Sequence, residues 1–180
     1  SAKGDIRWWL SDTQRIATHV IITQDGNIWQ AFSSKYWGHH LGVKSKVFKQ
    51  LDLKSINTKL NKHSFSVEID SLGPVLENGN SVAYGDRMKV TSEVCDLGKE
   101  FKGHRYYEEY TDAQLESCRA LALYIGDRND IDMCYKGAEM WDVSKRALSG
   151  ESGIWTHVSY RSDKSDCQPQ KEFIQMLESF

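Results

Sequence analysis

Ala17-Thr18-His19-Val20-Ile21-Ile22, then Thr23-Gln24-Asp25-Gly26, then Asn27-Ile28-Trp29-Gln30-Ala31-Phe32 is the stretch on which the reading of the fold turns. The first run is β-branched, and such side chains suit the pleated surface of a sheet. Asp25-Gly26 stands between two such runs, and both residue types tolerate positive φ, so the segment predicts a β-hairpin. Further along, Phe65-Ser66-Val67-Glu68-Ile69-Asp70 alternates apolar and polar positions and predicts another strand, stopped by Gly73-Pro74. Thr111-Asp112-Ala113-Gln114 has the form of a capping box, with Leu115, Cys118, Ala122 and Ile125 behind it at helical spacing. That pattern predicts a helix ending near Gly126. Trp155 to Tyr160 predicts a short strand and Lys171 to Leu177 a closing helix. Residues 76–110, rich in Gly, Asn and charge, read as a long excursion with two short strands. Strands alternating with helices define a mixed α/β class, a central mixed sheet flanked by helices.

The length, 180 residues, suits a single domain over residues 1–180 with a proper core. Twenty-five acidic against twenty-three basic residues leave a net charge of −2, which argues against a dedicated nucleic-acid binder. No apolar run approaches the roughly 20 residues needed to cross a bilayer, and the start, Ser1-Ala2-Lys3-Gly4-Asp5, has no signal-peptide core. Hydrophobic residues at 39% and aromatics at 11% exclude a disordered or collagen-like chain. Cys95, Cys118, Cys134 and Cys167 are scattered, without a Cys-x-x-Cys pair, so zinc-finger and dithiol redox spacings are absent.

Six histidines stand at positions 19, 39, 40, 63, 104 and 157. His157 is the most suggestive, because Asp163, Asp166 and Cys167 follow within ten residues and Lys164 lies among them. A histidine at a strand end with a carboxylate or thiolate one loop later suits a tetrahedral metal such as zinc, although a zinc site normally takes three protein ligands. Glu68 sits mid-strand in an otherwise apolar stretch. Turned inward it is a candidate general base; turned outward it is an ordinary solvent-facing glutamate.

Several segments together resemble one family, the zinc-dependent N-acetylmuramoyl-L-alanine amidases of the type-2 amidase or peptidoglycan-recognition fold, in a form common in bacteriophage lysins. Ile6-Arg7-Trp8-Trp9-Leu10 resembles the family helix before its second strand, and Ala17 to Gln30 resembles its hairpin. Tyr36-Trp37-Gly38-His39-His40-Leu41-Gly42-Val43 is similar to its Trp-His-Ala-Gly run, with His40 on the histidine two residues before glycine. Asn61 to Ile69 resembles the family's Asn-to-Glu strand, which places Glu68 on its glutamate. Phe101 to Tyr107 and Tyr110 to Leu115 resemble the entry to its long helix.

The resemblance implies a peptidoglycan hydrolase that cleaves the amide between N-acetylmuramic acid and L-alanine. It implies Zn2+ as cofactor and bacterial peptidoglycan, a muramyl peptide, as partner. By position, His157 falls on the metal histidine of the late strand, and Lys164-Ser165-Asp166 on the family's Lys-x-Asp or Lys-x-Cys. That register makes Asp166 the second ligand; the rival register uses Cys167. Glu68 is then the general base, Lys164 the oxyanion stabiliser, and His40, Trp37 and Asn61 bind substrate. The family's first zinc histidine lies on an N-terminal strand, and in this sequence no histidine precedes His19. Two expectations follow: a fragment whose missing strand lies elsewhere, which a separate chain could supply, or a domain that lacks a ligand. The second leads to the alternative function, a non-catalytic amidase-like module that grips peptidoglycan.

Overall fold

The computed structural model describes residues 2–180; Ser1, where the expected domain begins, lies outside the described residues. The first described element is helix α1 (Ala2–Ser11). The hairpin forms where the sequence places it, with β1 (Val20–Ile22) antiparallel to β2 (Ile28–Gln30) and Ile22 opposite Ile28. Gly26 takes φ +79° in the turn, and its amide donates to the Thr23 carbonyl at 2.8 Å. A Cβ there would lie 2.7 Å from the Ala113 carbonyl oxygen, so two reasons require glycine.

The chain then crosses over through α2 (Ser45–Gln50) and α3 (Asn57–Lys62) and returns as β3 (Val67–Ile69). A parallel pair needs such a crossover, and β3 does pair parallel to β1, with Ile21 opposite Glu68. The sheet order is β2-β1-β3. Ile21 and Ile22 are fully buried, each contributing about 1.5–3 kcal/mol of transfer free energy.

A second sheet follows, where the sequence suggested only two short strands. Strands β4 (Pro74–Val75), β5 (Asn80–Ser81), β6 (Gly85–Lys89), β7 (Val94–Phe101) and β8 (His104–Glu108) pair antiparallel in the order β6-β5-β4-β8-β7. Two-residue strands leave no readable alternation, and β6 is exposed throughout, so its polar composition resembles a loop. Glu108 is buried at the root of this sheet and accepts from Gln24 Nε2 at 2.7 Å, Ser92 Oγ at 3.1 Å and the Leu72 amide.

Helix α4 (Asp112–Asn129) opens with the expected capping box: Gln114 N donates to Thr111 Oγ1 and Thr111 N to Gln114 Oε1, both at 3.1 Å. It continues three residues past Gly126, to a left-handed cap at Asp130 (φ 52°). Gly126 is buried under Met133 rather than ending the helix. Helices α5 (Lys145–Ser149) and α6 (Lys171–Glu178) complete the fold. The expected strand at 155–160 is instead a 3-10 turn over His157–Ser159. The Thr156 and Ser159 hydroxyls both donate to the Met140 carbonyl, 16 and 19 positions away, and hold the segment in a turn rather than a strand ladder.

One core cluster joins the three-stranded sheet to α4 and α6 through Ile22, Ile69, Leu115, Phe173 and Leu177. A smaller one, Leu41, Val43, Phe48, Leu60 and Leu148, lies under α2 and α3. The mixed α/β class holds; the single central sheet becomes two sheets.

Candidate active site

Glu68 is the middle residue of β3, between exposed Val67 and buried Ile69. Its carboxyl is pushed up to about 7, first by burial and then by the negative charges of Asp166 and Asp5. His157 and Lys164 work against that rise. Five residues from α1, β3, the 3-10 turn and the loop behind it therefore act on one another electrostatically, and a carboxyl half-ionised near neutrality is matched to moving protons at pH 7.

His157 opens the 3-10 turn that the Met140 carbonyl anchors. Its Nε2 lies 3.1 Å from the Leu41 carbonyl oxygen and its Nδ1 lies 2.8 Å from Asp166 Oδ2. A carbonyl only accepts, so Nε2 carries a proton and donates it there. In the neutral ring, Nδ1 then turns a lone pair toward a carboxylate, and the two groups share either a proton or a cation. Burial works to raise the Asp166 carboxyl, but the hydrogen bond and charge of His157, with Lys164, hold it below its usual range. The Asp166 side chain remains 50% exposed, whereas its neighbour Cys167 packs against the main core beside Tyr110. Burial pushes the Cys167 thiol well up, which disfavours the thiolate a metal needs. Of the two residues proposed as second ligand, Asp166 is the one that meets His157.

The other residues singled out by sequence take different positions. His40 Nδ1–H donates to the Gly38 carbonyl at 3.1 Å, and its Nε2 lies 2.9 Å from Ser64 Oγ. Burial drives His40 down to about 4, and the neighbouring imidazoles of His19, His157 and His39 add to the fall, so at neutral pH it is an uncharged imidazole. Asn61 is 0% exposed. Its Oδ1 accepts from the His40 amide (2.8 Å) and the Leu41 amide (3.1 Å), while Nδ2 donates to the Asn57 carbonyl at 2.7 Å. Every polar atom of that amide is engaged, and its task is to hold the Leu41 segment on which His157 rests. Trp37 is half-buried, with the Arg15 guanidinium 4.6 Å and the Lys62 ammonium 5.2 Å from its ring centre.

Sequence reasoning left out three contributors. The Leu41 carbonyl has no side-chain signature. Asp5 lies on a helix whose sequence gives no reason to face a carboxylate 63 positions away. Arg161 forms a two-point ion pair with Asp163, at 3.0 and 2.6 Å, and its Nη1 would be 2.5 Å from a Cβ on Gly42 (φ +64°). The short Arg-x-Asp spacing is a signal that could have found that pair.

A mixed α/β fold that gathers a carboxyl of raised pKa, a histidine–aspartate pair and a lysine has the parts of an acid–base enzyme. The family model of N-acetylmuramoyl-L-alanine amidase matches residues 1–169, and the chain belongs to that family. No curated protein and no solved structure matches the chain. The family implies a peptidoglycan substrate and is typically zinc-dependent. Among the described residues, no group of three or more His, Cys, Asp or Glu is placed to hold a metal ion. None of their helices is long and apolar enough to cross a membrane. A separate chain bearing an N-terminal strand finds no support in the comparisons.

Proposed function

We propose that this chain, as one domain, hydrolyses the amide joining the lactyl group of N-acetylmuramic acid to L-alanine. The observation that carries the reading is Glu68, raised to about 7 while lying within electrostatic reach of the His157–Asp166 pair and Lys164. His157 Nδ1 and Asp166 Oδ2, two acceptors facing each other, fit a divalent cation as two of its ligands. Zinc held there would polarise the scissile carbonyl and lower the pKa of water from about 16 toward 7. The Leu41 carbonyl fixes the His157 tautomer, the support from behind that metal-ligating histidines use.

The chain's own groups carry the proton. Glu68 in its ionised form takes a proton from the attacking water and, as the neutral acid, delivers it to the leaving alanine nitrogen. The Lys164 ammonium faces the oxygen that becomes negative as the carbonyl turns tetrahedral, a contribution of typically a few kcal/mol to the barrier. The Trp37 ring offers a flat face to sugar or stem peptide, and neutral His40, its ring nitrogens engaged by Gly38 and Ser64, shapes the approach through its ring. A bacteriophage-lysin setting belongs to the same reading.

The incomplete donor set among the described residues favours a second reading, a module that binds peptidoglycan without cutting it. Release of free alanine amino groups from purified sacculi, assayed with added zinc and with a chelator, decides between them. Zinc-dependent release that Glu68→Gln abolishes supports the amidase. Tight sacculus binding without release under either condition replaces it with the binding module.

A further inference from the structure

Charge is distributed unevenly along this chain. Between Asp25 and Glu68 the sequence carries seven lysines and a single acidic residue, Asp52, a net charge of +6. The whole chain is −2, so the remaining residues carry −8. Six of these lysines, Lys44, Lys46, Lys49, Lys54, Lys59 and Lys62, lie on or beside α2 and α3, and all six are exposed. Several cations elsewhere are paired at short range: Lys102 with Asp142, Arg105 with Asp96, Arg146 with Glu139 and Glu151, Arg161 with Asp163. None of the six lysines has an ion-pair partner among the described residues. Like charges crowded without counter-charges destabilise a compact chain, and an anionic partner relieves that repulsion.

Two of these lysines, Lys49 and Lys54, also rim a groove. A cavity of about 390 Å³ opens between α2 and α3, floored by Val43, Phe48 and Leu53 and rimmed by Lys49, Lys54 and Ser55. The buried side chains Phe48 of α2 and Leu60 of α3 join Leu148 in the smaller core cluster; apart from Ile56, exposed at the groove, the outward face offers charge and hydroxyl groups rather than the wide apolar stripe of a membrane-lying helix. This face adjoins the active site. Asn57 and Asn61 of α3 hold the Val43, His40 and Leu41 amides, and Lys44 acts electrostatically on Asp163.

We propose that the α2–α3 face binds a phosphodiester-linked anionic polymer of the bacterial cell wall, a polyol-phosphate or sugar-phosphate chain that threads the lysine-rimmed groove and holds the active site against peptidoglycan. The repeating charge of such a polymer matches several ammonium groups at once, and its carbon chain suits the apolar floor. The proposal rests on the wall as the site of action, which the family supplies, and not on the chain being catalytically competent.

The test is co-sedimentation with purified sacculi that retain their phosphodiester polymer and with the same sacculi stripped of it by hydrofluoric acid. Stripping should weaken binding roughly tenfold or more. The charge-reversal pair Lys49→Glu/Lys54→Glu should lose a similar factor on intact sacculi and nothing further on stripped ones. Raising salt should weaken binding to intact sacculi far more than to stripped ones. Amide release from a small soluble muropeptide should be the same in the variant and the parent. Equal affinity for intact and stripped sacculi overturns the proposal; that arm uses the unaltered chain and does not depend on how the variant folds. Preference for phosphatidylglycerol vesicles over intact sacculi at equal phosphate also overturns it, in favour of a membrane surface. Absence of amide release with polymer-dependent binding retained would defeat the amidase reading and leave this one standing.

Discussion

The Leu41 carbonyl oxygen accepts from His157 Nε2 at 3.1 Å, across 116 positions of sequence. That single bond settles which ring nitrogen of His157 faces Asp166, because a carbonyl can take only the protonated one. The histidine is thus prepared from behind by a segment whose own placement depends on Asn61, and each of these dependencies can be measured.

Glu68→Gln should separate activity from stability. Removing the proton carrier should lower amide release by roughly 10²–10⁴-fold. The same change should stabilise the fold at pH 8. The native carboxyl is raised to about 7 from an ordinary 4.5, so the folded state holds a proton that the unfolded state releases, and stability falls as pH rises through that window. The penalty reaches roughly 3 kcal/mol above pH 7 and vanishes below pH 4.5. Urea unfolding of variant and parent at pH 8 and at pH 4 reads it out; equal stability at pH 8 would contradict the raised carboxyl.

His40 has the opposite sign. Burial lowers it to about 4 from an ordinary 6.5. The unfolded state therefore binds the extra proton first, and stability is lost as pH falls from 6.5 to 4, by up to roughly 3 kcal/mol. In His40→Gln that acid slope should flatten. Between pH 4.5 and 6.5 the Glu68 and His40 slopes oppose each other, so single variants reveal dependences that the parent masks.

The ligand assignment predicts a divergence between adjacent positions. Asp166→Asn should reduce bound zinc, measured by metal analysis after reconstitution, at least tenfold. Cys167→Ala should leave zinc content unchanged and cost roughly 1–2 kcal/mol of stability through lost core packing. Zinc lost only in Cys167→Ala would reverse the assignment.

Asn61→Ala removes the acceptor for two amides in the interior. Leaving the His40 and Leu41 N–H groups without partners should cost on the order of 3 kcal/mol. Because the Leu41 carbonyl then drifts, amide release should also fall more through kcat than through KM. Thermal unfolding and steady-state kinetics on one muropeptide check both, and full activity in a destabilised variant would limit Asn61 to a structural part.

What could be read in the sequence was whatever has a local chemical cause. The Asp25-Gly26 turn, the Thr111–Gln114 capping box and the alternation around Glu68 each determine a few neighbouring dihedrals, and each is found close to where the residues put it. The 3-10 turn at His157 was hidden because a distant partner, the Met140 carbonyl, anchors it; α4 runs past Gly126 because that glycine keeps helical backbone and leaves room for the Met133 side chain. The second sheet was hidden because its shortest strands are stabilised by pairing alone. Within the site, spacing singled out the His157 to Cys167 stretch and left Glu68 open, and the resemblance to the family chose Asp166, Lys164 and Glu68; nothing local revealed Asp5 or the Leu41 carbonyl.

The Glu108 amide donates to the Gly73 carbonyl at 2.9 Å, so the whole 74–107 excursion leaves and rejoins the body of the protein through one doorway. A segment rooted in that way can change the length of its outer turns with little entropic cost to the frame that carries it, while Thr91 on Gln24, Lys102 on Asp142 and Phe101 on Trp141 keep its base in place. It is a natural graft point, where evolution or an engineer can exchange one accessory for another while the β3 glutamate stays at its station.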